Sequence, residues 1–226
     1  MALPTAARRK RKLKDGGMRM ASLLNNIRPN LAGDYPIIHP STLIDPSAQI
    51  IGNVLIDEDV FVGPLTVIRA DQRGPDGKVA PVKIEKEVNI QDGVIIHGNP
   101  GASVTIGSKT SVAHGVVIHG PCIIGQACFL AIRSLLYSAT LENNVWLGMG
   151  ALVMRATLPS FTMVPEGSVI RERANTLGLR LVTDQEKDYM EGVLAANSRL
   201  RLDYLELRSK AESIKSSVEA KVATKP

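Results

Sequence analysis

The chain has 226 residues, enough for one well-buried domain plus an appendage. Apolar residues make up 44% and aromatics only 4%, so a folded core of Ile, Val, Leu and Ala in narrow, regular packing is expected. Of the net charge of +5, residues 1–20 carry +6, from seven Lys or Arg and one Asp. The remainder is near −1, which argues against a basic nucleic-acid face on the folded body.

The first element, residues 1–22, is a basic tail containing ARRKRKLKDGG. It reads as a disordered, solubilising terminus or a processed leader, with contact to nucleic acid, membrane or an acidic partner left open. No apolar run reaches transmembrane length and no secretory signal pattern occurs. The expected compartment is the cytoplasm, with organellar targeting by the basic end also allowed. Two cysteines, Cys122 and Cys128, make no disulfide framework.

Residues 23–170 are dominated by repetition. Ile, Val or Leu recurs every six residues at Ile38, Ile44, Ile50, Ile56, Val62 and Ile68. The series resumes at Ile84, runs to Ile96, resumes at Ile106, and runs to Leu136 before Leu141, Leu147 and Val153. Most anchors are followed four places later by a small or branched residue, such as Val54, Thr66, Val116, Cys122 and Cys128. This pattern resembles the hexapeptide-repeat proteins, which fold as a left-handed parallel β-helix with three hexads per coil. The eighteen anchors then give about six coils, all-β, each burying its apolar residues against its neighbours. The handedness comes from the resemblance, because the general rule for parallel crossovers favours the right hand. Two Gly/Pro-rich insertions, DQRGPDGKVAP and GNPG, interrupt the period and should bulge from an edge.

Beyond about Pro165 the period is lost. Residues 171–226 read as a linker and a helical segment, one long helix or a broken pair from Asp184 to about Ser217. Met190, Val193, Leu194, Asn197, Leu200 and Leu205 mark its inner face, and the final KVATKP should fray.

The hexad count places the candidate chemistry. Arg69, His97, His119 and Tyr137 each follow an anchor of one face. They should form a ladder at about 4.8 Å per step. His114 belongs to the preceding face, so it cannot easily meet the other two within one chain. Zinc wants three or four ligands, and a catalytic zinc keeps one position open. A threefold homotrimer would bring three histidines to each metal from neighbouring chains. His39 is ordinary surface or interface, the cysteines fill inward core slots, and Trp146 packs outside the prism.

The motifs VIRAD, NIQDGVIIH and SVAHGVVIH resemble the gamma-class carbonic anhydrases and the anhydrase-like domain of carboxysome shell-organising proteins, over roughly residues 30–210. The resemblance implies a homotrimer with a divalent metal (zinc, with iron or cobalt as alternatives) at each subunit interface. It implies His97 and His119 as ligands from one chain and His114 from its neighbour. It gives Gln91 the task of orienting the attacking water, Asn89 a minor supporting one, and Tyr137 a place near the metal. Arg69 matches an arginine that pairs across the interface with the acid corresponding to Asp92 or Asp71. The implied reaction is reversible hydration of carbon dioxide to bicarbonate. Three neutral imidazoles leave a metal its full positive charge, which lowers the pKa of a bound water towards 7.

The chain departs from that pattern at three positions. Gln72 stands where the well-studied branch has a proton-moving glutamate, and an amide carries no proton at neutral pH. Ala131 replaces a glycine, and Ser138 replaces an asparagine beside the aromatic. Two alternatives follow: a catalytically weak or inactive anhydrase-like trimeric scaffold, and a hexapeptide-repeat acyltransferase using a histidine as general base.

Overall fold

A computed structural model describes residues 25–171 and 178–223; the tail at 1–22 lies outside the described residues. Twenty-two strands of two to four residues run from β1 (Ile27–Arg28) to β22 (Val169–Arg171). Every third strand joins the same parallel sheet, so the chain winds as a left-handed three-sided solenoid. Face A holds eight strands, from β1 to β22. Face B holds seven, from β2 (Ile37–Ile38) to β20 (Thr157–Leu158), and face C seven, from β3 (Leu43–Ile44) to β21 (Met163–Val164).

The period-six anchors stack as expected. Ile50, Ile68, Ile96, Ile118 and Leu136 follow one another in register along face A, and all are fully buried. Each such side chain contributes about 1.5–3 kcal/mol of transfer free energy. Val54, Thr66, Val116 and Cys128 fill the slots between anchor rows. Burial raises the Cys122 thiol and pushes Cys128 up to about 12, so both are inert core thiols.

The solenoid has more turns than the six coils read from the anchors. Ile27 pairs with Ile50, so residues ahead of the first anchor, Ile38, already supply the first strand of the prism. At the other end the period survives a five-residue step and continues through Leu158, Val164 and Ile170, all buried. The short step shifts the frame by one, which hides the last coil from a strict count of six. The two insertions meet at one edge. The first is closed by an antiparallel bridge between Arg73 and Val79, and a Cβ on Gly74 would lie 2.8 Å from the Gly101 Cα of the second.

One unbroken helix, α1 (Asp184–Ala223), covers face C. It starts in a capping box. The Thr183 amide donates to the Glu186 carboxylate at 2.8 Å, and the Glu186 amide donates to Thr183 Oγ1 at 3.3 Å. Arg180 and these contacts hold Glu186 down at about 2. The helix docks through Met190 and Tyr189 against Phe129 and Trp146, whose rings are 4.5 Å apart. Trp146 thus packs outside the prism, as expected. Among the described residues no helix is long and apolar enough to cross a membrane.

A candidate metal site divided between two edges

Strands β7 (Val67–Ala70), β10 (Ile95–Gly98), β13 (Val117–Gly120) and β16 (Leu135–Tyr137) lie side by side on face A. Alternation along a strand points residues on either side of an anchor outwards. His97 and His119 are therefore register partners, and Tyr137 follows on the next rung. The two imidazoles sit edge to face at 5.3 Å, and His119 stacks on Tyr137 at 5.5 Å. Arg69 Nη1 donates to Asp71 Oδ2 at 2.8 Å, and Asp71 Oδ1 lies 3.3 Å from His97 Nε2. Burial first, then the Arg69 charge, pulls His97 below its ordinary 6.5, against the opposing pull of Asp71. Among the described residues, His119 Nδ1 is buried with no hydrogen-bond partner.

His114 stands at a different place. It follows β12 (Ser111–Val112) of face C, at the corner where the chain turns towards face A. Gly115 takes the left-handed conformation that this corner needs, at φ 68°. The corner residues form their own column: Gly93 donates to Pro64, Gly115 to Asp92, and Arg133 to His114 through their backbones. His114 is exposed, with Nδ1 3.5 Å from Asp92 Oδ2.

Gln91 belongs to this second edge. Its Nε2 donates to Asn89 Oδ1 at 2.6 Å and to Asn197 Oδ1 on α1 at 2.8 Å. Asn197 Nδ2 in turn donates to the Val193 carbonyl at 2.9 Å. A backbone carbonyl only accepts, so the Asn197 atom facing Gln91 is its oxygen. Both amide protons of Gln91 are thereby used, and its Oε1 is the end left to accept. Gln91, His114 and Asn197 line a groove of about 540 Å³ whose other wall includes Phe129, Ile132 and Trp146.

The candidate residues thus sort into two halves. Arg69, Asp71, His97, His119 and Tyr137 share face A; Asn89, Gln91, Asp92 and His114 share the edge of face C. The Arg69 ion pair is made within the chain, to Asp71. Gln72 is exposed in the first insertion, Ser138 is half-buried, and Ala131 is buried beneath α1. Asn197 is the participant that sequence reading placed on the helix face without a role. Its signal was a lone amide in a stripe of apolar residues.

No family model matches the chain. The carbonic anhydrase of Methanosarcina thermophila is 30% identical over 212 residues, covering 80% of this chain and 82% of that one. The chain belongs to the gamma-class carbonic anhydrase family. This anhydrase-family chain is also 34% identical over 178 residues to the carboxysome assembly protein CcmM of Nostoc sp., covering 74% of itself. It spans only 31% of that relative's length. A hexapeptide transferase family protein from Anaplasma phagocytophilum superposes with a TM-score of 0.64 at 22% identity, covering 78% of this chain and 96% of that one, which shows the solenoid fold.

Among the described residues of the anhydrase-family chain, no cluster of three His, Cys, Asp or Glu side chains lies close enough to hold a metal. Three imidazoles meet only if two copies contribute. The donors present suit a divalent cation: a histidine held neutral at pH 7, a buried ring nitrogen without a partner, and an exposed third ring.

Proposed function

We propose that this protein hydrates carbon dioxide reversibly at a metal site completed between copies of the chain in a homotrimer. The supporting observation is the division just described: His97 and His119 on one face, His114 with Gln91 on another edge. Neighbouring copies would supply the two halves. Beside the histidine ladder runs a column of apolar residues, Val67, Ile95, Val117, Leu135, Leu152 and Val169, in register across six strands. None of them is fully buried, which suits a face covered by another copy.

His97, His119 and the neighbour's equivalent of His114 would hold the metal, with zinc, iron and cobalt all compatible with three imidazoles. When bound, such a metal supplies a charge that acidifies water near neutral pH. Gln91 accepts a hydrogen bond through Oε1 and so orients a water proton away from the substrate. Its amide is uncharged and does not compete as a base. Asp71 and Arg69 hold the His97 ring in place. The apolar wall of Ile132, Phe129 and Trp146 receives a nonpolar substrate.

A second reading, an anhydrase-like trimeric scaffold with slow or no turnover, is favoured by a specific observation. Gln72 is exposed beside Asp71 and carries no titratable proton, so proton release has no side-chain carrier there. Resemblance to the carboxysome assembly protein fits this reading as well. Elemental analysis of the purified protein with a stopped-flow hydration assay separates them. Stoichiometric metal with fast hydration supports the anhydrase and counts against the scaffold; trace or absent hydration, with or without metal, sinks the anhydrase and favours the scaffold.

A further inference from the structure

Among the described side chains of α1, two are buried: Met190 and Arg201, at 5% and 4% exposure. They bracket Asn197. Met190 anchors the upper part of the helix in the aromatic cluster. Below Asn197 the apolar residues of α1 pack poorly: Leu200, Leu202, Tyr204 and Leu207 are exposed and Leu205 is only half-buried. The side chain buried here, among the described ones, is the polar Arg201. Arg201 Nη1 donates to the Ser41 carbonyl at 2.6 Å, and Nη2 pairs with Asp59 Oδ1 at 3.0 Å. The two acceptors sit on successive coils, themselves tied by the Asp59 amide donating to Ser41 Oγ at 2.9 Å.

We propose that Arg201 is a positioning residue, a two-pronged staple that fixes the register of α1 so that Asn197, one turn earlier, meets Gln91. This rests on the functional reading above only for its catalytic consequence. A guanidinium reaches two acceptors in a fixed fork, which an apolar side chain or a lysine does not reproduce. Burying it is costly, and Nε is buried without a partner among the described residues. A leucine or methionine would bury the same surface at less cost, but would let the helix slide or roll. Close packing does not prevent that motion: Asn89, Asn197 and Arg201 line a common cavity of about 470 Å³ between helix and prism. The Gln91–Asn197 bond joins groups 106 residues apart, and the staple is what keeps them in reach.

The test reads Gln91 directly, in the full-length protein without metal or carbon dioxide. The side-chain amide of Gln91 is followed by nitrogen-15 NMR in wild type, Arg201→Met and Asp59→Gly. The glycine is compatible with the backbone, since Asp59 already has φ 59°. In Arg201→Met the Gln91 amide protons are expected to exchange with water about tenfold faster, with their shift moving towards that of a solvated amide. Asp59→Gly removes one prong and should move the same signal by about threefold, which keeps the test available should the methionine variant fail to fold. Gln91 protection equal to wild type in a folded variant overturns the proposal. A wild-type protein that fails to hydrate carbon dioxide sinks the functional reading and leaves this readout intact.

Discussion

His114 and His119 are five residues apart in sequence yet occupy different sides of the prism. His119 lies within β13 on face A, beside His97; His114 lies on the preceding corner, above Asp92. One short stretch therefore feeds two separate edges of the prism, and under the proposed function its two histidines would do the same work in two different sites.

The burial of His97 has a consequence for pH. Its folded pKa lies below 6.5, so the unfolded chain takes up the proton first as pH falls. Stability is full above 6.5 and declines as pH drops from there through the folded value, then levels. Denaturant unfolding of the metal-free protein between about pH 7.5 and 5, which brackets the ordinary histidine range, should show that loss. A His97→Gln variant should show less of it. An NMR titration placing His97 above 6.5 in the wild type would remove the basis for this expectation.

Asn197→Ala frees one Gln91 proton and lets the amide rotate. In an active enzyme, kcat should fall by about 10–100-fold, the usual cost of losing a supporting partner. Metal content should hold, because neither residue is a ligand. A variant with unchanged kcat would show that Gln91 needs no support from α1.

Ser134 is a buried slot residue whose Oγ has no partner among the described residues. Ser134→Ala should be neutral or stabilising by about 1 kcal/mol, because an unpaired buried hydroxyl is removed. Ile118→Ala, one anchor away on the same face, should cost about 2–5 kcal/mol by opening a cavity. Urea unfolding of both variants checks the contrast. A destabilised Ser134→Ala would mean that the hydroxyl has a partner in solution.

Gln72→Glu restores a titratable group at the exposed position after Asp71. At low buffer concentration kcat should rise, by about tenfold or more if proton release limits turnover. No rise, with full metal content, would place the limit elsewhere and favour the scaffold reading.

Much of this was legible in the sequence because a solenoid converts spacing into position. Counting hexads and discounting the two insertions puts His97 above Arg69 and below His119, and the register agrees. Counting worked less well at the ends. There a five-residue step before Leu158 and a longer first turn after Ile27 break the period without breaking the stack. Asn197 and Arg201 were not legible as site residues. Their partners, Gln91, Ser41 and Asp59, lie more than 100 residues away, and no repeat links a helix to the coil it covers.

The most direct measurement is complementation between half-sites. His97→Ala and His114→Ala are expressed separately, then unfolded and refolded together in equal amounts. Each variant alone should lack metal at its sites. In randomly mixed trimers about a quarter of the sites pair an intact face A with an intact His114 corner, so metal binding and hydration should return to about a quarter of wild type. A mixture no better than its components, although mixed trimers form, would contradict a site shared between neighbouring chains.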